Sequence, residues 1–181
     1  MTTTRKALLL SAIFLVATAP LALAQGTYTQ IDVPGSVATF AQGIDSAGDV
    51  SGYYFDADNV YHGFLLSGGT YITLDYPGAA VTAATGISDS GGEVVGYQYS
   101  VSGETGFTYD TQTQVFTEIS YLAGADIYPF AVNDAGRVVG YISQASGSYG
   151  FEMAVSGPVV ELTSPGGATP TCTGLPPRAR A

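Results

Sequence analysis

From residue 27 to residue 163, short apolar runs alternate with clusters of Gly, Asp, Asn and Ser. Val, Ile, Tyr, Phe and Thr dominate the runs, which predicts β-strands. The clusters carry residues that hydrogen-bond their own backbone or accept positive φ, which predicts turns. No stretch there combines a 3.6-residue period with strong helix formers, so almost no helix is expected. The pattern gives four strands per unit. The first spans Ala38–Ile44, Thr82–Ile87 and Tyr128–Val132 in successive units. The second spans Val50–Phe55, Val94–Tyr99 and Val138–Ser143, and the third carries Gly63-Phe64, Gly106-Phe107 and Gly150-Phe151. The fourth spans Tyr71–Tyr76, Val115–Tyr121 and Val159–Thr163. In the second strand the adjacent Val94 and Val95 point to opposite faces, as do Val138 and Val139. That strand is therefore expected to be covered on both sides.

The units are copies of one another. Gly43-Ile44-Asp45-Ser46-Ala47-Gly48-Asp49-Val50-Ser51-Gly52-Tyr53 returns at Gly86–Tyr97 and again at Val132–Tyr141, and the closing Gly-Tyr falls at 52, 96 and 140. Four strands in a period of 44 residues fit one blade of a β-propeller. The expected fold is all-β and β-propeller-like, with tandem four-stranded repeats and an incomplete ring: three full repeats plus partial ends. The repeats run over residues 38–79, 82–125 and 126–168, within a β repeat domain at 25–168. They are preceded by a segment at 25–37 in which Thr27–Gly35 matches Thr70–Gly78, the last strand of a blade. Gly174-Leu175 falls where a fourth repeat begins, and Pro176-Pro177-Arg178 then breaks the pattern, so 169–181 is expected to be an aborted repeat and a disordered tail. A Gly inside the second strand, at 52, 96 and 140, predicts a bulge or a close approach by a neighbouring ring.

The chain start is an address. Arg5 and Lys6, the apolar run Ala7–Val16 and the small residues Ala22-Leu23-Ala24 make residues 1–24 a secretory signal peptide, cut before Gln25. The run is broken by Pro20 and falls short of the roughly 20 apolar residues of a membrane span. The expected location is secreted or periplasmic. Removing Arg5 and Lys6 from five basic residues leaves three against fifteen acidic ones, a net charge of −12. Such a body repels phosphate backbones and anionic lipid, so neither nucleic acid nor membrane is an expected partner. Cys172 is the single cysteine, which leaves no internal disulfide.

The pattern resembles the HAF-type extracellular repeat family of bacteria. The residues that carry the resemblance are the three long motifs above, then His62-Gly63-Phe64, Gly106-Phe107 and Gly150-Phe151, and the closes Pro34-Gly35, Pro77-Gly78-Ala79 and Pro165-Gly166. It covers about residues 27–175. The resemblance implies an exported, propeller-like protein, and it implies no activity. Two departures stand out: Thr105 and Tyr149 replace His62 in the later repeats, and the repeat count is low.

Candidate chemistry is sparse. His62 is the only histidine, with Asp56 and Asp58 near it in sequence. A general base or metal ligand needs such partners, but a strand residue beside a turn is the stronger reading. Asp56-Ala57-Asp58-Asn59 opens like a calcium loop but lacks its later Gly and Glu, so a solvated turn is the stronger reading. Calcium bound between blades at the Asp45, Asp89 and Asp134 turns is the weaker reading of those residues, and no cofactor is required. No catalytic or metal-ligating residue is assigned. Tyr53, Tyr97 and Tyr141 are equivalent, as are Phe55 and Tyr99; they serve packing, or a saccharide- or peptide-binding face. The expected function is non-enzymatic extracellular binding or assembly, including self-association through open repeat ends. The alternative is a carbohydrate-active hydrolase or lyase that uses carboxylates as acid and base.

Overall fold

The computed structural model describes residues 26–101, 103–155 and 157–162. The expected signal peptide at 1–24, the Pro165-Gly166 close and the aborted repeat and tail at 169–181 lie outside the described residues. Residues 26–30 belong to a unit of their own and carry no regular secondary structure.

From Ile31 onward the described chain is all-β. Sheet 1 comprises β1 (Ala38–Ile44), β2 (Val50–Phe55), β3 (Tyr61–Ser67) and β4 (Thr70–Leu74). Sheet 2 comprises β5 (Val81–Ile87), β6 (Glu93–Ser100), β7 (Gly103–Asp110) and β8 (Val115–Ile119). Sheet 3 comprises β9 (Asp126–Val132), β10 (Arg137–Gln144), β11 (Gly147–Ala154) and β12 (Val160–Leu162). Each is an antiparallel meander in chain order. The turn expected between the first two strands closes on its own polar residue. Asp45 Oδ1 accepts from the N–H groups of Ala47 and Asp49 at 2.9 and 2.8 Å. Asn133 Oδ1 does the same for Ala135 and Arg137 at 3.1 and 2.9 Å.

The sheets stack in chain order, and the alternation of the strands decides what each face buries. The forward face of sheet 1 (Leu65, Leu74) packs on the rear face of sheet 2 (Val94, Phe107, Tyr109). The forward face of sheet 2 (Val95, Ile119) packs on the rear face of sheet 3 (Val138, Phe151, Met153). Val94 and Val95 are both fully buried, as their adjacency predicts. Val139 is the exception: it stands 41% exposed on the forward face of sheet 3, which no described residues cover.

The repeated Gly is explained by packing. Phe64, Phe107 and Phe151 are fully buried and sit across the ladder from Gly52, Gly96 and Gly140. A Cβ on Gly96 would lie 2.7 Å from Phe107 Cζ and would overlap the Ala83 carbonyl oxygen; Gly52 and Gly140 are crowded in the same way. The facing inner strand carries a bulge in all three sheets. The inner strands of successive sheets also approach closely: a Cβ on Gly43 would meet Gly86 Cα at 3.1 Å, and one on Gly86 would meet the Phe130 oxygen at 2.5 Å.

The expected last-strand segment at Thr27–Gly35 is not a strand. A fourth strand needs a third strand to pair with, and none precedes it among the described residues. Ile31 and Val33 nevertheless pack on the rear face of sheet 1, against Val50, Phe64 and Tyr71. That is the place the equivalent Leu74 and Tyr76 take on sheet 2.

Candidate functional site

His62 lies on β3, paired across the ladder with Tyr54, and the two rings stack at 5.1 Å. Its Nδ1 is 2.9 Å from Asp75 Oδ1, and its Nε2 is 3.3 Å from Asp56 Oδ2. The sequence offered Asp56 and Asp58 as its partners; the structure brings Asp56 and Asp75. Asp58 instead gives its backbone N–H to Asp56 Oδ1, which also accepts from Val60 at 2.9 Å. That is the turn the sequence predicts over Asp56–Asn59. Asp75 was beyond sequence reasoning because it is thirteen residues away and reaches His62 only through the β3–β4 pairing.

Burial pulls the His62 pKa down, but the hydrogen bonds to Asp75 and Asp56 outweigh it and hold the imidazole above its ordinary value. Asp56 is lowered, chiefly by the Val60 N–H. The histidine therefore acts as a clasp between the β2–β3 turn and the end of β4. Both ring nitrogens are engaged by carboxylates, which leaves neither free to serve as a general base toward a substrate.

The Tyr76–Gly78 connector from sheet 1 to sheet 2 runs between two open cavities. One of 260 Å³ is lined by His62, Asp75 and Thr82. The other, of 450 Å³, is lined by Gln98, Ser100, Thr105 and Glu118. Tyr76 borders both, and its phenol pKa is raised by burial and by the adjacent Glu118 carboxylate. Gln98 donates to Thr105 Oγ1 at 2.7 Å, and its own buried carbonyl oxygen has no partner. An aromatic ring, a carboxylate, an amide and two hydroxyls form a polar groove suited to hydroxyl-bearing ligands. Nothing in the repeated motif announces it, because Gln98, Thr105 and Glu118 occupy positions held by Tyr54, His62 and Thr73 in sheet 1.

The Asp45, Asp89 and Asp134 turns do join neighbouring sheets, through hydrogen bonds. The Asp89 carbonyl oxygen accepts from Ser46 N and Oγ at 3.2 and 2.8 Å. Asp134 Oδ1 accepts from Ser90 N at 2.8 Å, 44 residues away, and Thr85 Oγ1 donates to the Pro129 oxygen at 2.6 Å over the same interval. Among the described residues no group of three or more His, Cys, Asp or Glu is placed to hold a metal ion.

The equivalent tyrosines are half-buried and pack on other aromatic rings. Tyr53 lies 5.0 Å from Phe40 and 5.8 Å from Tyr61. Tyr97 and Tyr141 both pack on Tyr128, at 5.4 and 4.6 Å, and the Tyr128 hydroxyl hydrogen-bonds Glu104. Tyr97 thus bridges sheets 2 and 3, so packing is a real use of these rings. Phe55 meets Tyr61 edge to face, with ring centroids 4.1 Å apart, while Tyr99 stands 49% exposed.

No protein-family model and no curated protein matches this chain. Among solved structures it is similar to one assigned as a TolB of Agrobacterium tumefaciens, with a TM-score of 0.57 at 12% identity. The match covers 70% of this chain and 49% of that one, so this chain spans about half its length. The likeness shows the fold: among the described residues, three β-propeller-type blades in tandem, not closed into a ring.

Proposed function

We propose that this is an exported, non-enzymatic β-repeat protein of the HAF type. It acts outside the cytoplasm by binding or assembly. Its start reads as a signal peptide, and its acidic body suits a solvent-facing, exported protein. The observation that carries the reading is that the repeated residues are consumed by packing. The buried Phe107 and Phe151, the Val94-Val95 pair, Val138 and Tyr97 hold neighbouring sheets together, and Tyr53 and Tyr141 pack on rings within their own sheets. The one histidine is spent on a structural clasp.

Binding falls to the groove beside the Tyr76–Gly78 connector, with a saccharide as the ligand class. Tyr76 supplies a ring face, and the exposed Glu118 carboxylate accepts from hydroxyls. A glycan array probed with the mature chain, with and without calcium, tests this. Binding that Tyr76→Ala and Glu118→Gln both abolish supports the reading. Binding that both variants leave intact moves the site elsewhere, and turnover of a bound glycan would replace the reading with the hydrolase one. The observation nearest to that alternative is the cross-strand pair Glu93 and Asp110. Burial raises Glu93, while the Thr113 backbone N–H lowers Asp110. Neither residue lines either cavity, which favours the non-enzymatic reading.

A further inference from the structure

The two ends of the stack expose the halves of one interface. On the forward face of sheet 3, Val139 and Leu162 are 41% and 45% exposed. Their equivalents on sheet 2, Val95 and Ile119, are at 0% and 2%, because sheet 3 covers them. Phe130 stands beside them at 46%, against the ring of Tyr141. At the opposite end, Ile44 on β1 is 70% exposed, whereas its equivalents Ile87 and Val132 are each at 8%. Ile31 and Val33 cover only the outer half of that rear face, and β1 is left open.

We propose that a second copy of this chain docks head to tail: the rear face of its sheet 1 covers the forward face of sheet 3 of the first. The proposal deepens the binding-or-assembly reading by naming a partner. It is argued from continuity with the interfaces already inside the chain. The forward face of sheet 3 has the strand order and register of the faces that receive sheets 2 and 3, and the rear face of sheet 1 has those of the faces that dock there. Exposed apolar side chains at positions that neighbouring sheets bury elsewhere in the chain mark an association site. A heterologous contact closes into a ring if the rotation allows and otherwise grows.

Four features shape the contact. Ile31 of the incoming copy and Leu162 of the receiving copy are equivalent and compete for one slot. Leu162 belongs to a three-residue strand, whereas Val33 is 8% exposed and tied by its N–H to Thr39 Oγ1, so β12 is the one that yields. Ala131 stands where Gly43 and Gly86 permit close approach, so the docked sheet sits back slightly. The Arg137–Glu152 ion pair, at 2.6 Å, lies on the receiving face and opposes desolvation. Two copies of net charge −12 also repel, so added salt strengthens the association.

The test is light scattering on the mature chain and two surface variants, Val139→Glu and Ile44→Glu, with circular dichroism confirming that both variants fold. The wild type is expected at twice the chain mass or more, and each variant alone at once the chain mass. An equimolar mixture of the two variants restores a dimer, because one intact face of each kind remains. A wild-type monomer at every salt concentration, or a mixture that stays monomeric, overturns the proposal. Either result leaves the glycan test standing, and glycan turnover would overturn the functional reading without touching the dimer.

Discussion

Replacing Gly96 by Ala adds one methyl group at the most crowded point of the central sheet. The new Cβ would sit 2.7 Å from Phe107 Cζ and overlap the Ala83 carbonyl oxygen. Phe107 is fully buried between sheets and cannot swing away, and the Ala83 oxygen belongs to the paired strand. Overpacking of this kind costs about 1–3 kcal/mol, and a clash with backbone puts it at the upper end. That is a large share of the roughly 5–15 kcal/mol that holds a domain folded. The chain has no Trp, so urea unfolding is followed by tyrosine fluorescence and circular dichroism. Phe107→Ala alone costs about 3–5 kcal/mol through the cavity it leaves. The double variant is cheaper than the sum, because removing the ring relieves one of the two clashes and leaves the carbonyl clash. A Gly96→Ala variant within about 0.5 kcal/mol of wild type, the usual range for surface changes, would refute the Gly-Phe packing account.

Other perturbations test separate parts of the structure. Because the folded His62 pKa is raised, its clasp contributes fully below about pH 6.5 and fades as pH rises through the folded value. His62→Gln should remove that slope, worth about 0.2–1 kcal/mol for a partly exposed pair, as read from urea midpoints across pH; an unchanged slope assigns it elsewhere. Ser51 is fully buried and its hydroxyl has no partner, so Ser51→Ala should stabilise by about 1 kcal/mol in the same assay, and a loss of stability counts against an orphaned hydroxyl. Asp134→Ala removes the acceptor for Ser90 N and should cost about 0.5 kcal/mol, with faster amide exchange at Ser90; unchanged exchange would show that the bond is not formed.

The strand pattern was legible because Val, Ile, Tyr and Phe recur at a fixed interval between turn residues. β1 and β2 match the expected Ala38–Ile44 and Val50–Phe55, and the equivalent strands in sheets 2 and 3 extend by one or two residues. The in-strand Gly marks a close approach from sequence alone, because Gly weakens a strand and has few other uses there. Two things were hidden. Val139 reads like Val95, but exposure depends on whether another sheet follows, which no local pattern encodes. The His62–Asp75 contact and the Gln98–Glu118 groove arise between strands, at positions where the repeats differ in sequence. Periodicity finds what the repeats share, and the candidate site is built from what they do not share.

The account rests on successive repeats locking face to face at an interval of one period. An NMR nuclear Overhauser spectrum of the mature chain measures that directly. Cross-peaks between Gly43 and Gly86, between Gly86 and Ala131, and between Thr85 and Pro129 are predicted. Strong cross-peaks within each sheet with none of these between sheets would contradict it.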